Sequence, residues 1–381
     1  RTTSMYSEKV QRFQEFNYEA MLHYNTALKN FTLNAFIGTN LMHQRRNINN
    51  GETQGGLIIP EYYNLSNATS VLTTDKTYRK EIRSLLGNVS LGWKSMLFAD
   101  ATFRNDWSST LPANENSYFY PSFSGSFIFT ELEPVKAVSW LNFGKVRLGW
   151  AQVGNDTDPY SLSRTYEYKN SSFGGVPNYG LDIILNNAHL KPELTNSVEA
   201  GIELKLLNNR VGLDLTYYNN LTKNQIMQVP LAASSGYTSQ WMNAGEISNK
   251  GLEVVLNVVP VQTANFQWEA TFNWSKNNNK VEKLNDQLKT LQIASSFVAL
   301  HATVGKPYGE LMGYNYVFDS EGNKVVAANG VYAKTAQTEG LGSVLPDWLG
   351  GVRNSFRYKN FDAGFLIDVR KGGYFYSITQ Q

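Results

Sequence analysis

The chain has 381 residues, a formal net charge of +2 and no cysteine. Its Lys and Arg residues are scattered, which excludes a nucleic-acid surface, and the missing thiols exclude a disulfide framework or a thiolate metal centre. Hydrophobic residues make up 42% at a mean hydropathy of −0.36, so no apolar run is long enough for a membrane-crossing helix. The 13% of aromatics fits two classes of β-protein, membrane barrels with alternating strands and carbohydrate binders. The opening RTTSMYSEKVQRF has no signal or targeting pattern and reads as the middle of a longer chain.

Residues 14–25 set Phe16, Tyr18, Ala20, Leu22 and Tyr24 against Asn17, Glu19 and His23, the two-residue period of a half-polar strand. A second strand starts with Phe31, Leu33, Ala35 and Ile37, and a long polar passage is expected over 43–79. Strands follow at 85–93 and from Leu97 to Phe103, then a loop over 107–117 and a strand over 118–129. The ELEPVK segment predicts a helical turn around Pro134. Val146, Leu148 and Trp150 mark another strand, followed by a polar region over 154–194 that includes a glycine-rich SSFGG. Val198–Leu204 and Val211–Tyr217 flank a tight turn at LLNNR, and 222–242 is a medium loop.

The next hairpin has the clearest pattern. Phe266, Trp268, Ala270, Phe272 and Trp274 line one face of its second strand, and Gln267, Glu269, Thr271, Asn273 and Ser275 line the other. Aromatics at both ends of an apolar face are the profile of a strand crossing a bilayer. A last hairpin, 348–358 and 361–369, turns at Lys359-Asn360. Between the hairpins, residues 278–347 hold either no crossing or two, and the tyrosine-rich PYGELMGYNYVF favours two.

Connection lengths decide the class. From the first hairpin to residue 277 they alternate strictly short and long, as in outer-membrane barrels with tight periplasmic turns and longer external loops. A Greek-key sandwich has no reason to segregate lengths this way. The fold expected is all-β, an antiparallel transmembrane β-barrel, with about 12–14 strands in this chain out of about 22 in a plugged transporter barrel.

The stretches FADATFRNDWSS, YFYPSFSGSFIF, WLNFGKVRLGWAQVGN, LKPELTNSVEAGIEL, NAGEISNKGLEVVL, FQWEATFNWSKNNNKV and LPDWLGGVRNSFRYKNFDAGFLIDVRKGG stand in the order and spacing of a known family. Over about residues 85–376 the chain resembles the C-terminal barrel region of SusC/RagA-type TonB-dependent outer-membrane transporters of Bacteroidota. That resemblance implies one partial barrel domain over residues 1–381, with the plug domain and closing strands outside this sequence. It also implies TonB-dependent import of an oligosaccharide or peptide across the outer membrane. A SusD-like surface lipoprotein would act as lid, and TonB–ExbB–ExbD would work through the plug. Two other readings stay open: a non-importing scaffold or secretion-complex barrel, and a soluble carbohydrate-binding β-protein or glycosidase.

Catalytic chemistry finds no support. His23, His43, His189 and His301 are isolated, and Asp156 and Asp158 fit an Asx-turn better than a calcium loop. Glu199 with Glu203, and Asp362 with Asp368, share strand faces as solvated carboxylates would. No enzyme and no cofactor is expected, and lipid is the expected neighbour of the apolar faces. The candidate ligand-binding residues are aromatics in or beside the expected external loops, Trp107, Tyr118, Tyr166, Tyr179 and Trp241. Such rings stack on sugars or pack against a lid, although packing within a loop is the commoner use of any single one.

Overall fold

The computed structural model describes residues 4–174, 176–285 and 288–379. Of the SSFGG segment, Gly175 lies outside the described residues. β1 (Ser7–Leu28) and β2 (Phe31–Gln54) form a tall hairpin, β3 (Ser70–Trp93) returns beside β2, and β4 (Leu97–Ser108) and β5 (Ser117–Ile128) follow. The expected helical turn is α1 (Glu133–Lys136), with Pro134 in its first turn, where the missing N–H is harmless. It leads into β6 (Leu141–Asn155). An excursion carries β7 (Tyr166–Phe173), β8 (Val176–Leu181) and β9 (Ile184–Leu185), after which β10 (Glu193–Leu206) and β11 (Val211–Lys223) rejoin the main sheet. A second excursion holds β12 (Ile226–Pro230) and β13 (Ser239–Asn243), before β14 (Glu246–Gln262) and β15 (Phe266–Lys283). The third carries β16 (Thr290–Ser295), β17 (Ala299–Thr303), β18 (Glu310–Gly313) and β19 (Glu339–Ser343), and β20 (Trp348–Tyr358) and β21 (Phe361–Lys371) close the order.

Twelve strands build one antiparallel sheet in the order β1-β2-β3-β4-β5-β6-β10-β11-β14-β15-β20-β21. Its register gives the sheet two chemically different faces. One row of directly paired residues runs Leu28, Phe31, Trp93, Leu97, Phe127, Val146, Ile202, Leu215, Val254, Trp274, Gly350, Val369. It is apolar at every strand except for Gly350. The adjacent row is mainly polar, with Thr32, Ser126, Arg147, Thr216, Glu253, Ser275 and Arg370, and is interrupted by Ala27, Phe98 and Leu349. A one-residue slip in any pairing would mix the two rows, so the pattern holds the register.

The apolar rows are uncovered. Phe361 is 77% exposed, and Leu28, Phe31, Leu97, Leu148, Phe272, Phe365 and Ile367 are exposed as well. Where a polar residue interrupts this face it is shielded: Trp268 Nε1 donates to Asn354 Oδ1 at 3.0 Å, and Asn354 is buried. Trp268 stacks on Phe356 at 5.9 Å, part of an aromatic band near the short-turn end.

Two expectations need correction. The polar passage over 43–79 is largely strand, because β2 continues to Gln54 and β3 starts at Ser70, with Asn47 opposite Thr77 and Gly51 opposite Thr73. Both faces are polar there, so the alternation that marks a strand vanishes while the hydrogen-bond ladder continues. The second correction concerns the two extra crossings expected between 278 and 347. β15 pairs directly with β20, and β16–β19 form a separate four-stranded sheet. These strands have 4 to 6 residues, whereas a crossing needs about 9–11. The apolar residues of β16 and β17, Leu291 and Ala302, face a dry cluster with Met227, Val229, Ala244, Val281 and Leu284.

The hydrophobic core in the usual sense therefore sits in the excursions. They gather at one end of the sheet, β9 pairs in parallel with β13, and a second cluster joins Leu111, Tyr118 and Leu190.

Candidate functional site

Three ion pairs stand out on the polar face of the sheet. Arg147 reaches from β6 to Asp214 on β11, with bonds of 3.0 and 2.6 Å to the two carboxylate oxygens. Its guanidinium passes over Gly201, where a Cβ would lie 2.6 Å from Nε, so a larger residue there would displace the Arg147 side chain. Lys145 pairs with Glu203 at 2.8 Å, and Arg357 with Asp362 at 2.9 Å. Two of the carboxylates considered as paired acids are thus neutralised by cations.

A recess forms where the strands reach unequal heights. β4 ends at Ser108, opposite Ile82, so β3 continues past it with one neighbour fewer. The chain leaving β6 crosses this step. Lys80 Nζ and Ser108 Oγ both donate to the carboxylate of Asp156, and Thr110 Oγ1 donates to it at 3.1 Å. Asp156 is buried, so a single carboxylate ties β3, the β4–β5 connection and the first excursion together. With both oxygens occupied, it forms neither the expected Asx-turn nor a calcium ligand. Beside this anchor lies a cleft of 340 Å³ lined by Lys80, Asn155, Asp158, Glu193, Ile226 and Trp241. Glu193 forms part of its wall and accepts bonds from Asn155 Nδ2 at 3.0 Å and the Ile226 backbone N–H at 2.7 Å.

The five aromatics expected to bind ligand are dispersed by the fold. Trp107 lies within β4, not in a loop, paired with Arg83 and Ser117. By strand alternation it shares the apolar face with Phe103, the position of a band residue. Tyr118 lies in β5 and is only 6% exposed. Its ring stacks on Tyr120 at 5.8 Å and fills the space over Gly154, where a Cβ would lie 2.3 Å from the ring. Trp241, on β13, packs against the same cluster as Tyr118 and opens onto the 340 Å³ cleft. Tyr166 and Tyr179 belong to the β7–β8 hairpin and are 71% and 66% exposed; Tyr179 lies 5.8 Å from the Tyr168 ring. Tyr118 and Trp241 are brought together, and the other three stand apart.

Sequence reasoning misses Lys80, which stands between the polar passage expected over 43–79 and the strand expected from Leu85. An available signal was the run Tyr78–Ile82, which ends in the apolar alternation of β3. Asp156 carried no signal, because its partner lies 76 positions away. Among the described residues, no three His, Cys, Asp or Glu side chains gather in a metal-holding group.

The model of the family described as TonB dependent receptor-like, beta-barrel, matches residues 2–379. The chain belongs to the TonB-dependent receptor β-barrel family. Barrels of this family sit in the outer membrane and serve transport and reception, not catalysis. The TonB-dependent receptor P26 of Formosa agariphila is 27% identical over 348 residues, which cover 84% of this chain and 35% of that protein. SusC of Bacteroides thetaiotaomicron is 25% identical over 328 residues, covering 78% and 32%. The chain thus spans about a third of the length of these curated relatives. The structure of the RagAB peptide transporter superposes with a TM-score of 0.78 at 19% identity, covering 94% of this chain and 42% of that one. The similarity to the SusC/RagA type expected from the sequence motifs is met by these relatives, and both organisms are Bacteroidota.

Proposed function

We propose that this chain is the wall and external recognition layer of a TonB-dependent outer-membrane importer for a bulky polar nutrient, an oligosaccharide or a peptide. The observation that carries this reading is the twelve-strand apolar row lying beside a polar row. A soluble protein would not leave so much contiguous apolar surface uncovered, whereas hydrocarbon on that side and water on the other satisfy both rows. β1 and β21 each have one unpaired edge among the described residues. In lipid such an edge costs several kcal/mol per group, so further strands of the full-length protein complete the ring. The plug receives energy from TonB–ExbB–ExbD, and a SusD-like lipoprotein covers the excursions. Tyr166, Tyr179 and Trp241 then face the space between lid and barrel, where aromatic rings hold ligand.

The test uses a Bacteroidota strain lacking the full-length protein and complemented with it. Labelled oligosaccharide or peptide should be taken up only in the complemented strain, and a proton-gradient uncoupler should abolish uptake. Recovery in the outer-membrane fraction with no uptake of either class, but with an export defect in the deletion strain, would favour the scaffold reading. Recovery as a detergent-free soluble protein would overturn both.

A further inference from the structure

We infer that the inner side of the tall β1–β3 blade carries a separate sugar-binding station, built on Tyr160, Tyr78, Arg46, Gln11 and Asp158. The inference rests on the importer reading and names the ligand class, a pyranose ring of an oligosaccharide.

The first excursion leaves its Asp156 anchor and turns at Tyr160, whose φ is +70°. Left-handed backbone at a bulky aromatic is uncommon and is held only where the surroundings impose it. Here Asn186 Nδ2 donates to the Tyr160 carbonyl at 3.1 Å. The turn sets the Tyr160 ring against Tyr78 of β3, centroids 6.1 Å apart and planes 29° apart. On β2, Arg46 holds its guanidinium 4.6 Å from the Tyr78 ring centre. Despite that stacking, Tyr160 stays 58% exposed. A strained residue that presents a ring to solvent has no packing reason to be aromatic.

Next to this stack lies a cleft of 180 Å³ lined by Gln11, Phe13, Gln44, Arg46, Tyr78, Lys80, Asp158 and Pro159. Its polar groups divide into used and unused ones. Asp156 occupies Lys80, and Gln44 Nε2 donates to Glu15 at 2.8 Å. The Gln11 amide, the Arg46 guanidinium and the Asp158 carboxylate hydrogen-bond no side chain or backbone group among the described residues. All three are planar groups with two donor or acceptor positions side by side, the spacing of adjacent sugar hydroxyls. Exposed rings offer the apolar face that the C–H side of a pyranose covers.

A peptide fits less well. Extended peptides are held chiefly by an unpaired strand edge, but this cleft lies on the face of paired strands, and β2 is bonded on both sides. Of the two cations that line the cleft, Lys80 is already neutralised by Asp156, and the Asp158 carboxylate in the same lining balances the formal charge of Arg46.

The test is calorimetric titration of the full-length protein in detergent, using maltoheptaose, xylohexaose and mannohexaose as sugar probes and a tryptic peptide pool as the contrast. At least one sugar should bind wild type. Tyr160→Phe should keep that affinity within about threefold, and Tyr160→Gly and Arg46→Ala should each weaken it by more than about tenfold. Glycine accepts the +70° backbone freely, so Tyr160→Gly should melt no lower than wild type, which separates lost binding from lost folding. Unchanged sugar affinity in Tyr160→Gly and Arg46→Ala overturns the inference, as does Tyr160-dependent binding of the peptide pool or no sugar binding at all. The importer reading fails on a different result, the absence of gradient-dependent uptake of either class. Normal uptake with unchanged sugar binding in the variants sinks the station alone.

Discussion

The wall and the external layer use apolar side chains in opposite ways. In the wall, Leu28, Phe31, Leu97, Val146 and Val369 stand exposed in one row of the sheet, a stripe that the chain leaves open. In the layer built by the excursions, Leu190 and Ala302 are each 0% exposed and pack in dry clusters. The same residue types thus face two solvents. Burial is the driving force in both regions, but the wall achieves it against hydrocarbon supplied from outside and the layer against its own chain. For this reason exposure alone misjudges the wall, and hydropathy alone misjudges the layer.

The contrast can be broken or sharpened by four experiments. The largest effect is expected at the joint between the regions. Asp156→Ala strands Lys80 and should loosen the first excursion by about 3–5 kcal/mol, the cost of removing one half of a buried pair. Hydrogen exchange should rise over 109–116 and 156–163 while the β10–β15 amides stay protected. Lys80→Met combined with Asp156→Leu should recover most of the loss.

Leu190→Ala should cost the layer about 2–5 kcal/mol through the cavity it leaves. Thermal melting of the full-length protein should then show an early transition confined to the excursions, with the wall transition unmoved. A uniform downward shift would show that wall and layer are one cooperative unit.

Leu215→Arg puts a charge on the apolar face and should destabilise the wall by about 2–4 kcal/mol in lipid vesicles. Its neighbour Thr216→Arg, on the polar face, should cost less than about 1 kcal/mol. Urea unfolding in vesicles compares the two, and equal costs would remove the case for lipid contact on one face.

The smallest effect is a pH dependence. Burial, aided by the nearby Glu193 carboxylate, raises the Tyr308 phenol above its ordinary pKa. The native layer therefore keeps a proton that the unfolded chain releases above about pH 10, so layer stability should fall as pH rises beyond that point. In Tyr308→Phe this alkaline fall should be weaker. An identical decline in the variant would assign it to other groups.

Legibility differed between the regions for the same reason. The hairpin of β14 and β15 was readable because water and hydrocarbon impose opposite demands on successive residues. Upper β2 and β3, between about His43 and Arg79, were not readable, because polar residues stand on both faces once the strands leave the apolar zone. Trp107 and Tyr118 looked alike in sequence, two aromatics flanking one connection, yet Trp107 takes the apolar face and Tyr118 fills a hole over Gly154. Nothing local distinguishes them, since the hole is made by a strand lying further along the chain.

Alternating apolarity was enough to establish an antiparallel barrel wall and its chemically divided faces, which follow from a period of two residues. Connection lengths keep the expected short–long order only in part: residues 109–116, between β4 and β5, are fewer than residues 129–140, between β5 and β6, where the short turn was expected. Tertiary structure alone decided that β16–β19 form a separate sheet, that Asp156 anchors the first excursion to Lys80, and that Tyr160 meets Tyr78 where Arg46 also stacks. Each of these depends on side chains tens of positions apart meeting across strands of unequal height, and a local pattern carries no record of such a meeting.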